Sequence, residues 1–209
     1  MRSGACKRSL CLLVVLAWLL AATACGRQMP VPPSASSGAQ TETDTAALAD
    51  AAAYVLRTVP EPQCGSVGGE WAVLGLARSG RDIPGADDYY ASVEGYVRKA
   101  MDENGRLNRS RSTENSRLIL ALTAMGKDVT HVAGRNLLDG LDSMSFITKQ
   151  SVNGPVWALL ALDSHGYPTS GDVTREKLVR AILDTQREDG SWPVIASSQV
   201  PDVDMTAMA

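Results

Sequence analysis

Two aspartates separated by one residue, Asp202 and Asp204, open a stretch that reads as the start of a helix (DVDMTAMA, 202–209). Neighbouring carboxylates raise each other's hold on a proton, and a buried pair can serve as a general acid. The same two residues also suit helix capping, or contact with an ion or ligand. A second group of side chains shares a register. Trp71, Arg117 and Trp157 each head an apolar segment, with Glu70, Ser116 and Val156 one place earlier. Asp204 and Met205 fall in the same two places of a fourth segment. Helix N-termini favour anions, and an exposed Trp at such a rim suits a ring-shaped or sugar ligand. Core packing is the other reading of Trp71 and Trp157.

The segments that must hold these residues repeat. WAVLGLARSG (71–80), RLILALTAMG (117–126) and WALLALDSHG (157–166) align at offsets of 46 and 40 residues. Each carries a small residue followed by Leu (Gly75-Leu76, Ala121-Leu122, Ala161-Leu162). Gly80, Gly126 and Gly166 then stand four residues after that Leu, where a left-handed C-cap belongs. These helices are apolar almost all round and are expected to be buried. Amphipathic helices alternate with them, over residues 87–102, more weakly 130–141, and 172–187. The last of these has Asp172 or Thr174 as cap and a Glu176–Arg180 ion pair. An Ala-rich helix is expected over residues 45–58. A period near 40 residues signals stacked helical hairpins.

Composition narrows the possibilities. A single Phe and 5% aromatic residues put the apolar content on Ala, Leu, Val and Met, which disfavours an all-β fold. Two His leave little for a His-rich metal site, and no metal site is expected. A formal charge of −3 without a basic run argues against a nucleic-acid partner.

The N-terminus reads as an address. Arg2, Lys7 and Arg8 precede an apolar run over residues 10–22, a secretory signal too short for a comfortable membrane span. The exit, ATACG (22–26), resembles the bacterial lipoprotein box, which makes Cys25 the lipidation site and the membrane a partner. Ala22-Thr23-Ala24 also fits ordinary cleavage, with free secretion as the outcome. Removing the signal takes away three of the 20 basic residues, leaving 17 against 23 acidic ones. Cys25 and Cys64 remain, and they form a disulfide only if Cys25 carries no lipid. Residues 25–44 hold Pro30, Pro32, Pro33, Gly38 and a Ser/Thr cluster, and read as a disordered tether.

Two motifs point to a family. Gln186, Gly190 and Trp192 (QREDGSW, 186–192) resemble the QW motif of terpenoid cyclases and their relatives, and DENGRL (102–107) looks like a degenerate copy without Gln and Trp. With the hairpin period, residues 46–209 resemble the terpenoid cyclase/protein prenyltransferase-like superfamily. They are closest to bacterial surface proteins with prenyltransferase/squalene-oxidase-type repeats, and more distantly similar to the transcobalamin/intrinsic-factor family. The resemblance implies an all-α chain whose residues 45–209 form an incomplete α/α toroid of about three and a half hairpins. It follows a signal peptide (1–24) and the tether. The fourth segment stops at Ala209, one place before its Leu, so a longer parent chain is expected.

In class II cyclases the sequence Asp-x-Asp-Asp-Thr-Ala opens an inner helix, and its middle Asp protonates an alkene or epoxide. Asp202, Asp204, Thr206 and Ala207 match, while Met205 replaces the third Asp and removes one acidic neighbour. Few aromatics are present to stabilise cations in a cavity. Prenyltransferase zinc chemistry lacks its Cys, since none follows Cys64, and His131 and His165 stand in poor contexts. A thioester lacks the Glu-Gln that should follow Cys64-Gly65. The functional expectation is therefore a lipid-anchored, non-catalytic binding module with cobalamin as a possible ligand. A cyclase-like enzyme and a structural spacer are the alternatives.

Overall fold

The computed structural model describes the backbone of residues 37–66 and 68–209, and side chains from Asp44 onward. The signal peptide, Cys25 and residues 25–36 of the expected tether lie outside the described residues. The chain divides into two units, Met1–Thr45 and Ala46–Ala209. The second unit holds the core and the candidate site.

Eight α-helices follow in order: α1 Ser37–Thr58, α2 Gly69–Arg78, α3 Ala86–Ala100, α4 Thr113–Ala124, α5 Met144–Ile147, α6 Asn153–Asp163, α7 Arg175–Leu183 and α8 Val203–Met208. Among the described residues there is no strand, only two isolated bridges. None of their helices is long and apolar enough to cross a membrane. α1 starts at Ser37, eight residues before the position taken from Asp44 as a cap. Residues 37–44 of the expected tether are therefore helical, because Ala39, Gln40 and Glu42 favour helix and no Pro interrupts them.

The three repeated segments are α2, α4 and α6. Each ends in the same motif: Gly80, Gly126 and Gly166 have φ of 70°, 71° and 64°. In each, the following N–H returns to the repeat Leu: Arg81 to Leu76 at 3.1 Å, Lys127 to Leu122 at 2.9 Å and Tyr167 to Leu162 at 2.8 Å. This is the Schellman closure, and only Gly takes such φ values without strain. Leu76, Leu122 and Leu162 are buried, as the repeat requires.

α2 packs on α4, α4 on α6, and α6 on α7. Tyr89, Val93 and Val97 of α3 join Val73, Leu118, Ile119 and Leu122 in one core, which continues to Leu162 and Leu178. Each such side chain contributes about 1.5–3 kcal/mol through removal of apolar surface from water. A second cluster of Val152, Val156, Ile182 and Met205 seats α8. All-round burial of the repeated helices does not hold. Trp71 is 41% exposed and Leu160 45%, so part of the surface of α2 and α6 faces solvent.

The weak helix expected over 130–141 is absent. Ala133 and Gly134 have φ of 52° and 76°, and Val132 pairs with Arg135 in both directions (2.8 and 3.0 Å). A two-residue turn with both central φ positive resembles a type I′ hairpin turn and cannot continue a helix. A 3-10 turn, Leu137–Leu141, fills the core instead. Thr174 caps α7, its hydroxyl accepting the Lys177 N–H at 3.2 Å. The Glu176–Arg180 pair does not form; Arg175 reaches Asp163 at 2.6 Å and fastens α7 to the end of α6.

Candidate functional site

Residues at positions i, i+3 and i+7 of a helix share a side. α2 thereby offers Trp71, Leu74 and Arg78, α4 offers Arg117, Leu120 and Ala124, and α6 offers Trp157 and Leu160, with its C-cap Ser164 next in line. The open face is thus three ranks deep. The first rank is Trp71, Arg117 and Trp157; the structure joins Trp71 to Trp157 and Arg117 to Glu70. The rings of Trp71 and Trp157 meet with centroids 4.9 Å apart and planes at 50°. A cavity of about 610 Å³ lies at the other end of the face, lined by Leu74, Arg78, Leu120, Ala124 and His165 among others.

Glu70 and Arg117 belong to a chain of charges. Glu70 is 2% exposed; its Oε1 accepts the Gly65 N–H at 2.6 Å, and its Oε2 stands 3.4 Å from Arg117 Nε. That last contact is an ion pair without hydrogen-bond alignment. Arg117 Nη2 donates to Glu114 Oε2 at 2.7 Å, and Glu114 Oε1 pairs with Arg111 Nη2 at 3.2 Å. Two carboxylates and two guanidinium groups alternate, so the chain is neutral. Glu70 is the buried end of this chain, and loss of Arg117 would leave its charge uncompensated, whereas the Arg111 end is exposed to solvent.

The spacing Glu114–Arg117, three residues on a helix, was a sequence signal for this chain of charges. The tertiary meeting of Glu70 with Arg117 carried no such signal. Ser116 and Val156, in register with Glu70, are core residues rather than rim residues.

Cys64 sits against Glu70 with a free thiol. Burial, then the charge of Glu70 and a hydrogen bond to it, push that thiol up to about 12 from an ordinary 9.0. It is protonated at neutral pH and a poor nucleophile. Burial and then Glu70 also raise the Tyr89 hydroxyl, and burial followed by Glu114 raises that of Tyr96.

The acidic motif lies apart from these contacts. Asp202 caps α8, with Oδ1 accepting the Met205 N–H at 2.8 Å, and its own N–H donates to Trp192 O at 2.9 Å. Asp204 is exposed, and its side chain makes no hydrogen bond or ion pair.

Gln186, Gly190 and Trp192 close a loop. Gln186 Nε2 donates to Gly190 O at 3.1 Å, and Gly190 takes φ 85°. The Trp192 indole donates to Ile182 O at 2.8 Å, and its backbone N–H donates to Thr206 Oγ1 at 3.0 Å. Trp192 therefore ties the end of α7 to α8. The degenerate copy has the same backbone: Asp102 N–H to Arg106 O and Gly105 N–H to Asp102 O mirror Arg187 N–H to Ser191 O and Gly190 N–H to Arg187 O. Leu107 replaces Trp192, and its N–H goes to Asn115 Oδ1 at 3.0 Å.

Among the described residues no cluster of three His, Cys, Asp or Glu could hold a metal ion. No protein-family model, curated protein or solved structure matches the chain.

Proposed function

We propose that this chain is a lipid-anchored extracellular module, built on an arc of α/α-toroid hairpins, that binds a ligand at the cell surface without catalysis. The observation that carries the reading is the contact between Trp71 and Trp157. Their helices flank α4. Rings from the outer two helices of a row meet over the middle one when the row curves toward that face. A concave, partly apolar face with a polar rim is the usual form of a ligand site. An arc of toroid hairpins has this curvature, with inner helices lining the hollow. Cys25 supplies the anchor in this reading, and cobalamin is one candidate ligand.

Thermal shift of the full chain with cobalamin, soluble glycans and peptides tests the binding role. A ligand whose stabilisation disappears in Trp71→Ala supports it, and the absence of any Trp71-dependent ligand overturns it. Labelling with a radioactive fatty acid tests the anchor, which requires the label to vanish in Cys25→Ala.

A further inference from the structure

We propose that the Trp71–Trp157 shelf takes an uncharged carbohydrate ring. This rests on the binding reading above and narrows it to one ligand chemistry.

The first argument is geometric. Sandwiching a flat aromatic ligand needs about 7 Å between rings, two contact distances. The indoles stand 4.9 Å apart and already touch. A ligand therefore lies on their outer surface, where Trp71 is 41% exposed. A pyranose ring offers an apolar C–H face to such a surface.

The second argument is electrostatic. Glu70, Arg117, Glu114 and Arg111 are joined in ion pairs and cancel. Their charges sum to zero, so this edge offers a charged ligand no net attraction. A hydroxyl donates and accepts, and meets the edge of such a network without separating charge. The Arg117 side chain is 24% exposed, so part of that edge is accessible. It holds the same turn of α4 that Trp71 and Trp157 hold on α2 and α6. An apolar ring face bordered by hydroxyls matches an aromatic shelf bordered by a neutral donor–acceptor chain.

The test is intrinsic fluorescence of the full chain titrated with cellotetraose and with N-acetylated chitotetraose. Expected is a saturable change with at least one of them. Trp71→Ala and Trp157→Phe should each weaken it by about tenfold or more. Trp192→Phe, outside the shelf, should leave the affinity unchanged. If Trp71→Ala fails to fold by circular dichroism, Trp71→Phe carries the comparison. No saturable change with either sugar overturns the proposal, as does sugar binding indifferent to both shelf variants. Trp71-dependent binding of decanoate or tetramethylammonium in place of sugar also overturns it. In that last case the binding reading survives; it falls only when no ligand of any class depends on Trp71.

Discussion

The indole of Trp71 touches that of Trp157 across the helix that carries Arg117, with centroids 4.9 Å apart and planes inclined at 50°. The two residues are 86 positions apart in the chain. They share only a register in a repeat, and the packing of α2, α4 and α6 converts that register into contact.

A double-mutant cycle on this pair should give a coupling of about 0.5–1.5 kcal/mol, typical of aromatic contacts in tilted geometry. The variants are Trp71→Ala, Trp157→Ala and both together, measured by urea unfolding. Additive effects would mean the rings do not meet in solution.

Cys64 should resist alkylation at pH 8 until the protein unfolds. Its folded value of about 12 lies above the ordinary 9.0, so the thiol's contribution is fully present below pH 9. From there the unfolded chain loses its proton while the folded chain keeps it, and stability falls until about pH 12. Cys64→Ser should flatten this alkaline decline in urea midpoints between pH 8 and 11. An unchanged slope would show that the thiol does not drive it.

Asn115 is a fully buried cross-link. Its Oδ1 accepts from Leu107 N–H, and its Nδ2 donates to Gly105 O at 2.8 Å and Leu137 O at 3.0 Å. Asn115→Ala strands three buried backbone groups and should cost about 3 kcal/mol. A loss below about 1 kcal/mol in chemical denaturation would contradict this network.

Two glycines should respond in opposite directions. A Cβ on Gly140 would stand 2.3 Å from Asn115 Nδ2 and 2.5 Å from Gly105 O, so Gly140→Ala should destabilise by about 3 kcal/mol. A Cβ on Gly75 meets nothing within 4 Å, and the residue lies inside α2. Gly75→Ala should raise stability by about 0.5–1 kcal/mol. Melting temperatures of the two variants should move apart.

Asp202 should behave as a cap and nothing more. Asp202→Ala should lose about 1 kcal/mol, Asp202→Asn should retain most of it, and Asp204→Asn should be neutral. Any cyclised product from squalene or an oxidised prenyl substrate that Asp204→Asn abolishes would reinstate the catalytic alternative.

The sequence by itself determined the local units. The Gly positions after Leu76, Leu122 and Leu162 mark the helix ends because left-handed backbone at a C-cap is a local requirement. The caps were legible as pairs of candidates, Asp172 or Thr174 and Asp202 or Asp204, since a cap bonds its own first turn, and the structure selects Thr174 and Asp202. The 130–141 segment was misread because its apolar spacing fits a helix, while Ala133 and Gly134 adopt the turn that pairs Val132 with Arg135. The tertiary structure alone decided which face stays open, that Trp71 and Trp157 meet over α4, and that Glu70 finds Arg117 and Cys64. Those contacts join residues from separate repeats. A helical period gives the direction of a side chain about its own axis, whereas contacts between helices depend on how their faces pack.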